Sequence, residues 1–313
     1  MARPPYSVHT RHTGRTGPAA PLRGRTAVVT GAARGIGAEL ARRLADRGAR
    51  VALVGLEPEA LDRVAAGLPA GRGRAYEADV TDDAALARAA DRVRRELGPP
   101  ALVVANAGMA AAEPLGRSDP AVWRRVVEVN VVGSAVTART FLPDLLATRG
   151  YFLQLASTAA WSPAPLLSAY CASKAAVESL ARTLRTEVAG RGVGVGVAYL
   201  GWTGTELITD PDDGGALRAL RDRMPGPAGA VQPLAPAVER LVRGIERRSR
   251  TICSPPWLLA ARAARPVLPL LVELRARRTL RELERAGSRA LAPTGPLGPG
   301  GAAATGAGSG PGS

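Results

Sequence analysis

Tyr170 and Lys174 stand four residues apart in the stretch SAYCASKAAVESLARTLRTEV, Ser168 to Val188. Apolar residues recur at Ala172, Ala176, Leu180, Leu184 and Val188, and that spacing predicts a helix. Residues i and i+4 share a helix face, so the phenol and the ammonium can meet one partner together. A phenol titrates at about 10 in water, too high for ready proton exchange at neutral pH. A neighbouring ammonium favours phenolate and makes Tyr170 usable as a general acid or base. Composition sharpens the point. The chain has 42 basic residues and Lys174 is its only lysine. A bias that placed arginine everywhere else has kept a compact, deprotonatable ammonium here. The plain alternative, a surface Tyr and Lys on an ordinary helix, is weighed against the motifs below.

The histidines, His9 and His12, lie in an N-terminal segment outside any periodic pattern. A Ser-His-Asp triad, a Cys-His pair and a His-based metal site are therefore not available to the body of the chain, and no metal is expected. Cys171 and Cys253 offer no CxxC spacing and no disulfide framework, which fits a reducing cytoplasm. The net charge of +15 raises nucleic acid as a partner. Residues 1–25 carry five arginines and no acid, and residues 240–289 carry thirteen arginines against Glu246, Glu273, Glu282 and Glu284. The remaining residues sum to +1, so the basic character belongs to the flanks. No nucleic-acid motif with interleaved aromatics accompanies it, and no nucleic acid is expected.

With 313 residues, 46% of them hydrophobic, the chain is long enough for one large core. Residues 1–22 are rich in Pro, Gly, Thr and Arg without periodicity and read as a disordered leader. Residues 23–254 read as one domain of alternating strands and helices. TAVVT at Thr26–Thr30 is a buried-strand pattern, followed by the glycine-rich run Gly31 to Gly37 and a helical run. Further strands are predicted at Arg50–Val54, Gly73–Ala78, Ala101–Ala105, Gly150–Ala156, Val193–Leu200 and Arg250–Ser254. Helices are predicted between them, including one long helix through Asp119–Thr148. Such alternation predicts an α/β fold, a parallel sheet with helices on both faces, whose ligands bind beyond the carboxyl ends of the strands. Gly31, Asp79, Asn106, Ser157 and Gly201 all fall at those ends. Gly204–Pro233 reads as a lid or substrate loop. Residues 255–290 form a basic, apolar helical extension, suited to the parent domain, a dimer mate or a peripheral membrane contact. Residues 291–313, rich in Gly, Ala and Pro, read as a disordered tail.

Taken together, TGAARGIG at Thr30–Gly37, Asp79-Val80, Asn106-Ala107-Gly108, Asn130, Ser157 and Tyr170-x3-Lys174 resemble the short-chain dehydrogenase/reductase family. Ser157 lies 13 residues before Tyr170, as that family places its serine. The resemblance spans about residues 22–254 and implies a single-domain, doubly wound Rossmann-like sheet. It implies hydride transfer with a nicotinamide dinucleotide, NAD(P)(H), on a small-molecule substrate. Tyr170 is the implied acid/base and Lys174 its pKa-lowering partner and a ribose contact. Ser157 would hold the substrate oxygen, and Asn130 a water linking Lys174 to solvent. The implied cofactor contacts are Gly31, Arg34, Gly35, Ile36, Gly37, Gly55, Glu57, Asp79, Val80, Asn106, Ala107, Gly108, Tyr170, Lys174, Gly201, Thr203 and Thr205. A homo-oligomer, dimer or tetramer, is expected.

Two departures from that pattern bear on specificity. Leu200-Gly201-Trp202 stands where the family usually has Pro-Gly. The second strand ends in VALVGLEPE, without an acid at Gly55 or an arginine at Leu56. Space at Gly55 and the charge of Arg34 lean towards NADP(H), whereas Glu57 could bond a ribose hydroxyl. Trp161, Leu167 and Trp202 flank the expected pocket, which points to a mostly apolar ketone or secondary alcohol. Two other readings compete: a non-catalytic dinucleotide-binding scaffold on this fold, and an arginine-rich nucleic-acid-binding protein.

Overall fold

The computed structural model describes residues 21–209, 218, 221–285 and 295–305. Of the leader expected to be disordered, residues 1–20 lie outside the described residues, as do residues 210–217 and 219–220 of the lid, but Leu22 is buried in the core. Seven strands form one sheet: β1 Thr26–Thr30, β2 Arg50–Gly55, β3 Gly73–Glu77, β4 Pro100–Ala105, β5 Tyr151–Ser157, β6 Gly194–Leu200 and β7 Thr251–Ser254. Their order is β3-β2-β1-β4-β5-β6-β7, and every pairing is parallel. The strands are apolar almost throughout because helices cover both faces. Those helices are α1 Gly35–Asp46, α2 Pro58–Ala66, α3 Asp83–Leu97, α4 Pro120–Val127, α5 Gly133–Thr148, α6 Ser168–Glu187 and α7 Leu234–Glu246. Beyond β7 come α8 Leu258–Ala263, α9 Leu268–Arg285 and α10 Gly298–Thr305.

Strand alternation sorts side chains into two cores. Val28 of β1 packs with Leu86, Phe141 and Val177, on the side of α3, α5 and α6. Its neighbours Ala27 and Val29 pack with Leu40, Leu61 and Leu241, on the side of α1, α2 and α7. The result is a doubly wound Rossmann-like sheet. Chain order reverses between β1 and β4, which opens a crevice at their carboxyl ends.

Two expectations change, and one of the alternatives for the extension is met. The long helix through Asp119–Thr148 is interrupted: between α4 and α5, residues Glu128–Val132 form a π-helical turn. That extra width turns Asn130 inward, as π-turns at functional sites do. Next, the tail is not wholly disordered. Pro296 bridges Ala111, the Leu297 N–H donates to the Ala110 carbonyl at 2.8 Å, and Leu297 is buried. Small residues bury little area, but they let the α10 backbone pack closely. Finally, the extension packs on the parent domain through Leu258, which is buried, and Arg265, which donates to Glu178 Oε1 at 2.6 Å. Among the described residues, no helix is long and apolar enough to cross a membrane.

Candidate active site

The glycine-rich turn leaves β1 at Thr30 and enters α1 at Gly35. Gly31 has φ +63°, and a Cβ there would lie 2.8 Å from the Ala107 Cα. At Gly37 a Cβ would collide with the Gly31 carbonyl. These are positions where only glycine lets the backbone close so tightly. Asn106 holds the turn: its Nδ2 donates to the Thr30 and Gly31 carbonyls at 2.8 and 3.0 Å. The N–H groups of Asn106 and Ala107 both donate to Thr30 Oγ1 at 3.1 Å. A bare turn feeding a helix N-terminus is a cradle for a pyrophosphate. The residues therefore fit a dinucleotide.

On the neighbouring rim Ser157 ends β5, and α6 brings up Tyr170 and Lys174. Ser157 Oγ accepts from the Ala159 N–H at 3.2 Å and donates to the Leu200 carbonyl at 3.5 Å, and its hydroxyl is near enough to the Tyr170 phenol to favour the charged form. Lys174 Nζ is 5.5 Å from the centroid of the Tyr170 ring and donates to the Leu155 carbonyl at 3.3 Å. A Cβ at Gly108 would come within 3.5 Å of that ammonium. Burial pushes the Tyr170 phenol up to about 12, and Ser157 only partly offsets it. Burial likewise pushes the Lys174 ammonium down to about 8. The net Tyr170 shift is thus upward, where a lowering was expected, and burial rather than Lys174 causes it. Desolvation of each charged form dominates.

Asn130 is fixed by the elements on either side of it. It is buried; Oδ1 accepts from the Met109 N–H at 2.8 Å, and Nδ2 donates to the Met109 carbonyl at 3.0 Å and Ser173 Oγ at 2.8 Å. These bonds tie the β4 rim to α6 through the Asn130 side chain.

At the far end of the crevice, Asp79 accepts from the Thr81 N–H and hydroxyl, each at 2.8 Å, and from Arg125 Nη2 at 2.7 Å. These partners hold the Asp79 carboxyl below its usual range, against the upward pull of burial. Arg125 went unseen in the sequence because, among so many arginines, one more on a helix carries no signal. Arg34, read above as a partner for a 2′-phosphate, pairs instead with Glu57, and with Glu206 at 2.9 Å. Both carboxylates raise its pKa, although burial alone would lower it. The lid lies against the glycine turn here too: a Cβ at Gly35 would meet Thr205 Cγ2 at 3.4 Å. Thr203 Oγ1 donates to the Gly201 carbonyl at 3.0 Å and accepts from Gln232 Nε2 at 3.1 Å.

One cavity of about 560 Å³ joins these groups. Every site residue named from the sequence lines it except Asn130. Trp161 is largely buried, its ring 4.4 Å from that of Tyr199, and Trp202 donates to Met224 Sδ at 3.2 Å. Sequence reasoning missed two further walls. Leu268 and Leu271 of the extension line the substrate side, and Gly300 and Ala304 of α10 line the nucleotide side.

Residues 25–213 match the family model described as short chain dehydrogenase. The chain is 39% identical over 189 residues to galactitol 2-dehydrogenase (L-tagatose-forming) of Cereibacter sphaeroides, covering 59% of this chain and 74% of that one. It is 38% identical over 202 residues to cis-4-hydroxycyclohexanecarboxylate dehydrogenase of Sinomonas cyclohexanicum, covering 63% and 81%. Among solved structures, a short chain dehydrogenase/reductase from Burkholderia phymatum in complex with NAD superposes with TM-score 0.67 at 28% identity, covering 77% of this chain and 92% of that one. A metagenomic short-chain oxidoreductase in complex with NADP gives TM-score 0.55 at 32% identity, covering 58% and 84%. With the glycine turn, the rim and the sheet order in agreement with these matches, the chain belongs to the short-chain dehydrogenase family and is a nicotinamide-dinucleotide-dependent oxidoreductase.

Proposed function

We propose that this protein interconverts a mostly apolar secondary alcohol and its ketone, with Tyr170 as general acid/base. The observation that carries this is the meeting of Ser157, Tyr170 and Lys174 on one cavity, walled by Leu167, Trp202, Leu268 and Leu271. Gly31, Gly35 and Gly37 would hold the pyrophosphate, Asp79 and Val80 the adenine side, and Lys174 the nicotinamide ribose. When bound, the dinucleotide supplies or accepts the hydride. In the reducing direction Tyr170 Oη donates its proton to the carbonyl oxygen, and Ser157 Oγ–H holds the oxygen where charge develops. In the oxidising direction the same phenol, as phenolate, removes the hydroxyl proton. A phenol raised by burial favours the donor role, and a neighbouring ammonium that keeps its proton favours the acceptor role. Lys174 therefore sets which is available at a given pH.

Relatives named for galactitol and for cis-4-hydroxycyclohexanecarboxylate support an alcohol substrate. The apolar lining suits a hydrocarbon ring better than a polyol, because a polyol would leave several hydroxyls without partners. For the cofactor, the ion pairs of Arg34 turn the reading towards NAD(H). A 2′-phosphate beside Arg34 would face two carboxylates, Glu57 and Glu206, whereas a ribose hydroxyl could donate to Glu57. The two cysteines are free, which supports a reducing, cytoplasmic setting. The test is turnover of cyclic and acyclic secondary alcohols and their ketones with both dinucleotides, in wild type and Tyr170→Phe. Turnover of an apolar alcohol or ketone that disappears in Tyr170→Phe is expected. Turnover that survives this change would remove Tyr170 from the chemistry. A wild type that binds dinucleotide but turns over none of the panel would favour the scaffold reading.

A further inference from the structure

Among the described residues, ten large hydrophobic side chains are exposed, and six of them lie between Trp257 and Leu274. Val267, Leu270, Leu271 and Leu274 follow i, i+3, i+4, i+7 spacing, and the Leu271 N–H donates to the Val267 carbonyl, so the four form one stripe. Trp257 and Leu259 are exposed at α8, and Trp257 and Leu271 line one cavity. These side chains are between 36% and 61% exposed, although the opposite side of the extension is anchored through Leu258 and the Arg265–Glu178 pair. The stripe therefore belongs to a docked, oriented element whose outer face is uncovered. Such a contiguous apolar surface marks an interaction site.

Charge identifies the occupant. Residues 255–285 carry seven arginines against three glutamates. Arg262 and Arg277 are exposed, each three residues beyond an exposed leucine, Leu259 and Leu274. A second copy of the chain docked through this same face would bring together two net-positive surfaces, with three glutamates each to offset seven arginines. Anionic headgroups would neutralise them while the leucines enter the acyl boundary. We infer that the outer face of α8 and α9 docks on an anionic lipid surface, lying on the bilayer rather than crossing it. Trp257 and Leu271 belong both to this face and to the cavity wall. A docked molecule thus turns the cavity mouth towards the lipid, where an apolar alcohol or ketone partitions. That consequence rests on the proposed substrate class; the docking itself does not.

The test is cosedimentation of the full chain, without substrate, with vesicles of phosphatidylcholine alone and of phosphatidylcholine with phosphatidylglycerol. Binding to the anionic vesicles is expected, with weakening in salt and much weaker binding to the neutral ones. Arg262→Glu and Arg277→Glu should each reduce anionic-vesicle affinity by about fivefold or more. Leu270→Asp with Leu274→Asp should abolish vesicle binding yet keep dinucleotide affinity and turnover of a water-soluble alcohol, which also shows that the variant is folded. No sedimentation with anionic vesicles at low salt overturns the inference. So does vesicle binding that survives the Leu270/Leu274 change. A lipid-free oligomer that dissociates on that change would assign the face to a second copy and overturn it equally.

Discussion

The Lys174 ammonium lies 5.5 Å from the centroid of the Tyr170 ring, yet its hydrogen bond goes to the Leu155 carbonyl. The pair is adjacent without a direct bond, so the role proposed for Lys174 rests on a compact ammonium held beside the phenol. Arginine keeps the charge, but its planar fork does not fit that compact position, and it cannot give up its proton. Lys174→Arg is therefore expected to fold, to bind dinucleotide more weakly and to lose about a hundredfold or more in turnover. Tyr170→Phe should be as inactive while binding dinucleotide nearly as wild type. Steady-state kinetics and fluorescence titration check both. Near-normal turnover by Lys174→Arg from pH 6 to about 9 would show that charge alone suffices.

Stability should carry the signature of the same two groups. Lys174 is pushed down from 10.5 to about 8 in the folded protein. Between those values the unfolded chain holds a proton that the folded one has lost, so this site's contribution to stability rises with pH. Below about 8 the buried ammonium is a cost. Tyr170 runs the other way: raised from 10.0 to about 12, it stabilises below 10.0 and loses that contribution as pH climbs to about 12. Lys174→Met should accordingly be more stable than wild type at pH 7, with the gap narrowing from pH 8 to about 10. Urea titrations across that range measure it, and a constant gap would contradict the buried-ammonium account.

The proposed cofactor preference is tested at Arg34 and Glu57. With Arg34 paired to Glu57 and Glu206, wild type is expected to bind NADH at least about tenfold more tightly than NADPH, the scale of one close like-charge contact. Glu57→Gln should narrow the difference by relieving that repulsion. Gly55→Asp, where a Cβ meets only Leu61 at 3.5 Å, should widen it. Dissociation constants for both cofactors suffice. Tight NADPH binding that Arg34→Ala selectively destroys would restore the phosphate-partner role for Arg34.

The tail makes its own claim on the nucleotide side. Gly295 N–H donates to Glu113 Oε1 at 3.2 Å, Leu297 is buried, and the Ala304 carbonyl accepts from Arg125 Nε at 2.8 Å. Arg125 in turn holds Asp79, so α10 and the nucleotide wall share one arginine. Ending the chain after Thr294 should leave a folded protein whose NADH dissociates about fivefold faster, the scale of one lost hydrogen bond. Stopped-flow fluorescence reads that rate directly. An unchanged rate would show that the tail contributes nothing to holding the nucleotide.

The order of strands and helices, the parallel sheet and the rim residues were all legible in the sequence. Each rests on local physics. Buried parallel strands require apolar runs, the glycine turn requires residues without Cβ at Gly31 and Gly37, and Tyr170 and Lys174 meet through helical spacing alone. The interrupted helix at Asn130 was not legible, because the π-turn answers to Met109 and Ser173, which approach only once β4 and α6 are packed. Nor was the direction of the Tyr170 shift, since spacing gives proximity to Lys174 but not the depth of burial that outweighs it. Arg34 looked like a free cation until the fold brought Glu57 and Glu206 to it from β2's end and the lid. The tail was the plainest case. Its composition has little to bury, and only the closed crevice supplies the Ala110 carbonyl, Glu113 and Arg125 that hold it in place. The sequence by itself determined which groups this protein can use; the tertiary structure decided which of them meet partners, because burial and long-range pairing exist only after the sheet has closed.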